Sequence, residues 1–201
     1  MSNDETTLLR ETTEYATRFL TLCRGKGLKV VTVESMTAGK IVNSLTNVPG
    51  FSDVIYGGLV VYHEGAKREV LDVKTDIDIY SEPFAERMCV AGLSRTSATI
   101  SVSVTGHANP RGPEDGSCLF HTGVAIRLGA SDVKTWTKEV VLDDEVIQTL
   151  TENNTDRRRY IKRRAVNEIL QFATECLRSS ASASSASASS ASSSASASAS
   201  A

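Results

Sequence analysis

The sequence predicts an α/β fold: a single-domain α/β/α sandwich around a mixed sheet. Three observations carry this. Short β-branched runs alternate with helical patterns from residue 28 to 106. Two further runs, Thr122–Leu128 and Lys134–Leu142, flank the turn residues Gly129-Ala130-Ser131 and read as an antiparallel pair. A long amphipathic pattern through Ile161, Ala165, Ile169, Phe172 and Cys176 closes the patterned chain.

The elements follow in order. Leu8, Thr12, Tyr15, Phe19 and Leu22 recur at three- and four-residue steps, predicting a helix from about 5 to 24 that Gly25-Lys26-Gly27 stops. Leu28–Val33 is mostly apolar and β-branched, as a buried strand should be. Glu34–Gly39 (ESMTAG) marks a tight turn, followed by a short helix over Lys40–Leu45 and the punctuation Asn47-Val48-Pro49-Gly50. Ile55–Tyr62 is a second strand whose paired glycines allow another group to approach closely. Glu64–Leu71 reads as a helix. Ser81 caps another through about Ser94, with Pro83 tolerated in its first turn. Ala98–Val104 is a strand ending at Thr105-Gly106, and His107–His121 reads as a long loop of the kind that often carries function. The expected organisation is an N-terminal helix packing on the domain over 1–27, the domain proper over 28–178, and a disordered Ser/Ala tail over 179–201.

Composition excludes several classes. With 22 basic and 24 acidic residues among 201, the net charge of −2 does not fit a strongly basic nucleic-acid binder. No apolar run approaches the ~20 residues of a membrane span, and the acidic, polar N-terminus is neither a secretory nor a transit signal. A cytoplasmic protein is expected. Cys23, Cys89, Cys118 and Cys176 are too dispersed for a disulfide scaffold or a zinc ribbon. His63, His107 and His121 read as solvated or hydrogen-bonded loop histidines, and no metal or organic cofactor is implied.

Three strands end in hydroxyl residues: Ser35, Tyr62 and Thr105. Ligands of open α/β sheets bind at the carboxyl ends of strands, so the three could converge. Lys67, five residues beyond Tyr62, could reach the same crevice, and a lysine of lowered pKa can activate a serine. The amides of Met36 to Gly39, on a turn entering a helix, could hold an oxyanion or a phosphate. On spacing alone the blander account is better: Ser35 as a helix cap and Lys67 as a solvated surface residue.

A resemblance changes the weighting. Val33–Gly39 (VESMTAG) is similar to the E-S-C-T-G-G segment of the CinA C-terminal domain family, the nicotinamide-nucleotide amidases. Leu45–Ser52 resembles L-T-x-V-P-G-x-S, and Gly57–Tyr62 with Ala66-Lys67 and Leu71-Asp72-Val73 resembles G-G-V-V-x-Y-x-N-x-x-K…L-G-V. Ser81-Glu82, Met88, Val104–Pro110 and Arg158-x-x-Ile161-Lys162…Ala165-Val166 match further family positions, so the likeness spans about 28–170 in order.

The resemblance implies deamidation of nicotinamide mononucleotide to nicotinate mononucleotide and ammonia. By position, Ser35 would be the nucleophile, Lys67 its base, and Tyr62 an aid to proton transfer. Thr105 and Gly106 would line the pocket, amides around Thr37 and Gly39 would hold the oxyanion, and Arg158 would take the substrate phosphate. A homodimer acting on a small-molecule nucleotide, with no nucleic-acid or membrane partner, is implied. So is a chain without the second N-terminal domain of larger members.

Departures concern the pocket walls. Met36 replaces cysteine, Ala38 a glycine, Glu64 an asparagine, His107 an isoleucine and Asn109 a glycine. Two alternatives therefore stay open: a nucleotide-binding pseudoenzyme, and a related amidase acting on another small carboxamide.

Overall fold

The computed structural model describes residues 3–74, 76–109, 118–130, 132–142, 147 and 154–193, with side chains described among these from residue 5 to 180, except 154 and 155. The strands are β1 (Val30–Glu34), β2 (Ile55–Val60), β3 (Ile100–Gly106), β4 (Cys118–Arg127) and β5 (Val133–Leu142). They form one mixed sheet in the order β2-β1-β3-β4-β5. β1 pairs in parallel with both β2 and β3, and β4 and β5 complete the sheet antiparallel. The predicted mixed α/β architecture and hairpin are therefore present.

Alternation along the strands sorts side chains between two layers. On one face, Ile100, Val102 and Val104 of β3 join Phe120, Val124 and Ile126 of β4 in the main core. Three helices cover that face: α1 (Asn3–Gly25), α2 (Lys40–Thr46) and the C-terminal helix, here α5 (Asn154–Ser193). The Thr12 hydroxyl donates to Asn167 Oδ1 at 2.6 Å, and Arg163 pairs with Glu5 at 2.9 Å, locking α1 to α5. On the other face lie α3 (Glu64–Leu71) and α4 (Glu82–Arg95). Val33, Val61, Phe84, Met88 and Leu71 form a second cluster there. Ser81 caps α4 by accepting from the Phe84 amide, as its sequence position predicts.

The second of the paired glycines of β2, Gly58, has a packing reason. A Cβ on Gly58 would sit 2.6 Å from Thr32 Oγ1 and 3.0 Å from Val42, so its absence lets α2 lie against the sheet.

Three expectations need correction. β4 begins at Cys118, so the loop predicted to reach His121 is shorter, and residues 110–117 lie outside the described set. His121 is consequently a buried strand residue, with Nδ1 3.9 Å from Glu139, because β5 offers a ladder partner across the whole segment. The helix α5 continues beyond Arg178 to Ser193, so the Ser/Ala stretch up to that point is helical where disorder was expected. Alanine favours helix, and extending an existing helix avoids the cost of nucleation. Residues 194–201 lie outside the described set.

Among the described residues no helix is long and apolar enough to cross a membrane. The four cysteines are buried and none is in a disulfide. Burial pushes the Cys23, Cys89 and Cys176 thiols up to about 12, which disfavours thiolate chemistry at those positions.

Candidate active site

Parallel pairing places the ends of β1, β2 and β3 side by side: Glu34 aligns with Val60 on one flank and Val104 on the other. Ser35, Tyr62 and Gly106 follow directly from these ends. They line a cleft of about 150 Å³ with Met36, Tyr80, His107, Ala108, Asn109 and Arg158. A larger groove of about 680 Å³ runs between the end of α3 and α4, but it shares no lining residue with this cleft.

The turn after β1 is held from beneath by Glu34, the last residue of that strand. Its fully buried carboxylate accepts from Thr32 Oγ1 at 3.0 Å, Thr37 Oγ1 at 2.7 Å, and the Ile41 and Val42 amides at 3.0 and 2.8 Å. One side chain thus satisfies donors at the start of α2 and fixes the turn carrying Ser35. The available signal was a charged residue at the end of a buried, mostly apolar strand. A carboxylate so placed must be paired or hydrogen-bonded.

Within the turn, Ala38 has φ 53° and Gly39 φ 89°, both left-handed. The Ala38 amide donates to Ser35 O and the Lys40 amide to Thr37 O. The amides of Met36, Thr37 and Gly39 have no backbone acceptor among the described residues. Of the amides over 36–39 expected to hold an oxyanion, only that of Ala38 has a backbone acceptor among the described residues.

Ser35 is 4% exposed, and its hydroxyl has no hydrogen-bond partner among the described residues. It does not cap α2, since Gly39 occupies the N-cap. Lys67 is only 1% exposed rather than solvated. It belongs to α3, whose N-cap is His63, and its Nζ donates to the Tyr62 carbonyl at 3.2 Å. Burial holds the Lys67 ammonium below its ordinary pKa, opposed by the charge of Glu64. Glu64 itself pairs with Arg68 at 2.7 Å.

One expected lining group turns elsewhere. The Thr105 hydroxyl donates to Ile79 O, because odd positions of β3 face the α4 side. It is fully buried and anchors the segment leading to α4. The Thr37 hydroxyl is taken by Glu34. Tyr80 and His107, in contrast, enter the cleft wall with ring centroids 4.1 Å apart. Tyr80 had no sequence signal beyond its place just before the Ser81 cap.

The remaining wall comes from α5. Arg158 donates through its guanidinium to the Tyr62 hydroxyl at 2.6 Å. The Lys162 ammonium lies 5.9 Å from the Tyr62 ring centroid.

Fold and cleft together define a three-layer α/β protein with a small polar site at the carboxyl ends of parallel strands. Residues 12–177 match the CinA C-terminal domain, and the chain belongs to that family. It is 39% identical over 117 residues to a CinA-like protein of Chloroherpeton thalassium, covering 54% of this chain and 28% of that protein. The chain thus matches little more than a quarter of that relative's length. Among solved structures it is similar to the competence/damage inducible protein CihA of Agrobacterium tumefaciens. That likeness has a TM-score of 0.68 and 30% identity, over 84% of this chain and 96% of that one. The competence damage-inducible protein A of Klebsiella pneumoniae shares the fold, with TM-score 0.67 and 23% identity over 83% and 97% of the two chains.

Proposed function

We propose that the chain hydrolyses the carboxamide of nicotinamide mononucleotide, releasing ammonia and nicotinate mononucleotide. The observation that carries this reading is Lys67: an amine buried on the carbonyl of Tyr62, held below its ordinary pKa, behind a cleft that Ser35 lines. A buried lysine with that bias is suited to act as a base, and an unpartnered serine hydroxyl is suited to attack.

In this reading Ser35 Oγ adds to the carboxamide carbon as its proton passes to Lys67. The oxygen's developing charge is held by the free amides of Met36, Thr37 and Gly39. Collapse of the tetrahedral adduct breaks the C–N bond, and the amine leaves as ammonia with a proton from Lys67. Water then attacks the Ser35 ester, giving the carboxylate and restoring the hydroxyl. Tyr62 accepts a hydrogen bond from Arg158, which leaves its phenolic proton available to the relay.

Purified protein incubated with nicotinamide mononucleotide should release ammonia, and Ser35→Ala and Lys67→Ala should abolish release. No release from the wild type, or equal release from the variants, rejects the reading. A second reading, nucleotide binding without turnover, draws on the absence of a hydrogen bond between Ser35 and Lys67 among the described residues. Calorimetric binding with no ammonia would select it. Ammonia release from other carboxamides but not from the nucleotide would select a related amidase.

A further inference from the structure

Two rings form one wall of the Ser35 cleft. Tyr80 and His107 lie with centroids 4.1 Å apart and planes tilted by 35°, and both are half-buried. The backbones that carry them are pinned. The Thr105 hydroxyl donates to Ile79 O, tying the strand that leads to His107 to the residue before Tyr80. The Tyr80 amide donates to Asp78 Oδ1 at 2.9 Å, and the Ser81 hydroxyl to Asp78 O at 2.6 Å. On the other side, the His107 amide donates to Leu119 O at 3.1 Å. Gly106 packs so closely that a Cβ there would lie 2.5 Å from Phe120 Cα. The two rings are therefore held in place before any ligand arrives.

The cleft's volume of about 150 Å³ falls short of the ~300–1,000 Å³ of a site that encloses a drug-sized ligand, so it takes one small group. Among the described residues no carboxylate lines it, and the guanidinium of Arg158 is turned to the Tyr62 hydroxyl. The Tyr62 ring already has the Lys162 ammonium 5.9 Å from its centroid. No cation lies against the Tyr80 ring among the described residues. That aromatic face is thus a source of negative potential in the wall. His107 stands where the resembled family has isoleucine, so the imidazole half of the wall is a feature of this chain.

The structure assigns Tyr80 and His107 as a recognition wall that selects a flat, electron-poor aromatic ring as the carrier of the carboxamide. A flat ring can lie against both side chains at once, and an electron-poor or cationic one is drawn to the negative face of the phenol. A saturated ring is puckered and meets the wall only at its edges. A reduced ring is neutral and loses the charge term. That the ring bears a carboxamide rests on the amidase reading, whereas the preference for a flat, electron-poor ring does not.

The oxidised and reduced forms of nicotinamide mononucleotide isolate the ring. They share phosphate, ribose and carboxamide, but only the oxidised ring is aromatic and cationic. In the Ser35→Ala background, calorimetry on the full chain should show the oxidised form binding about fivefold or more tightly than the reduced one. Tyr80→Leu and His107→Leu should each lower that ratio at least about twofold. Tyr80→Phe should retain it, and Tyr56→Leu, at an exposed tyrosine outside the cleft, should leave it unchanged. Equal melting temperatures will show that the variants are folded. A second readout needs no substitution in the wall. In the Ser35→Ala chain, 1-methylnicotinamide should shift the ring-proton NMR resonances of Tyr80 and His107, and cyclohexanecarboxamide at equal concentration should not. Equal affinity for the two nucleotide forms, or a ratio unmoved in both leucine variants, overturns the wall. Should neither nucleotide bind, the ring-proton shifts decide: their presence upholds the wall and their absence overturns it. A preference for the oxidised ring without ammonia release from the wild type overturns the amidase reading and leaves the wall standing. Ammonia release with no ring preference does the reverse.

Discussion

Arg158 reaches from α5 to donate a 2.6 Å hydrogen bond to the hydroxyl of Tyr62, 96 residues earlier in the chain. Tyr62 is 55% exposed, so the bond should contribute only about 0–1 kcal/mol to folding. Its value should lie in binding. Arg158→Met is expected to leave the urea midpoint nearly unchanged while raising KM for the nucleotide about tenfold or more, with a smaller change in kcat. A large loss of stability with unchanged KM would refute this.

Glu34 offers a structural counterpart. Glu34→Gln keeps the shape but turns one end of the acceptor into a donor aimed at the donors it formerly received. The expected loss is about 2–3 kcal/mol in urea denaturation, together with a fall in kcat as the Ser35 turn loosens. Wild-type stability in this variant would contradict the assigned role.

Ala38 occupies a left-handed conformation, φ 53°, that disfavours a Cβ by about 1–2 kcal/mol. The added freedom of glycine in the unfolded chain offsets part of that gain. Ala38→Gly should therefore stabilise the protein by about 0.5–1 kcal/mol, read as a higher thermal midpoint. A lower midpoint would mean the methyl group makes a compensating contact.

Lys67 gives a pH dependence whose sign follows from its burial. Its folded pKa lies below the ordinary value of 10.5, so between the two values the unfolded chain holds the extra proton. Stability attributable to Lys67 should rise with pH across that window. Below the folded value both states are charged, and the full desolvation penalty remains. Lys67→Met should be more stable than wild type at neutral pH and gain less as pH rises. Lys40 and Lys162 shift in the same direction, so part of the slope will persist. Urea midpoints from neutral to alkaline pH will decide, and an unchanged slope in Lys67→Met counts against the argument. If Lys67 is the base, wild-type kcat/KM should also climb with pH through its folded value.

The fold was legible because its strands and helices are strongly patterned. α3 was placed at Glu64–Leu71 and Ser81 at a helix cap from local signals alone. The extent of β4 was not legible: Cys118–His121 follows a Gly- and Pro-rich stretch, and its strand character depends on the partner β5. At the site, the hydroxyls at the ends of β1 and β2 announced themselves through the topology rule for parallel strands. Thr105 misled because the direction of its side chain depends on which face of β3 the odd positions occupy, a tertiary fact. Tyr80 was silent for the same reason: it enters the cleft wall through its contact with His107, a neighbour from a distant part of the chain.

The double pairing of β1 has a consequence for how the molecule is assembled. Ser35 hangs from a strand whose partners come from residues 55–60 and 100–104, so neither wall of the cleft forms through local contacts. Parallel pairings between distant segments close large loops and form slowly. The cleft should therefore be among the last features to mature during refolding, with ligand affinity returning after most helical signal. A single-residue insertion within β1 would shift its register against both flanking strands at once, so length changes there should be tolerated far less than in the β4–β5 turn.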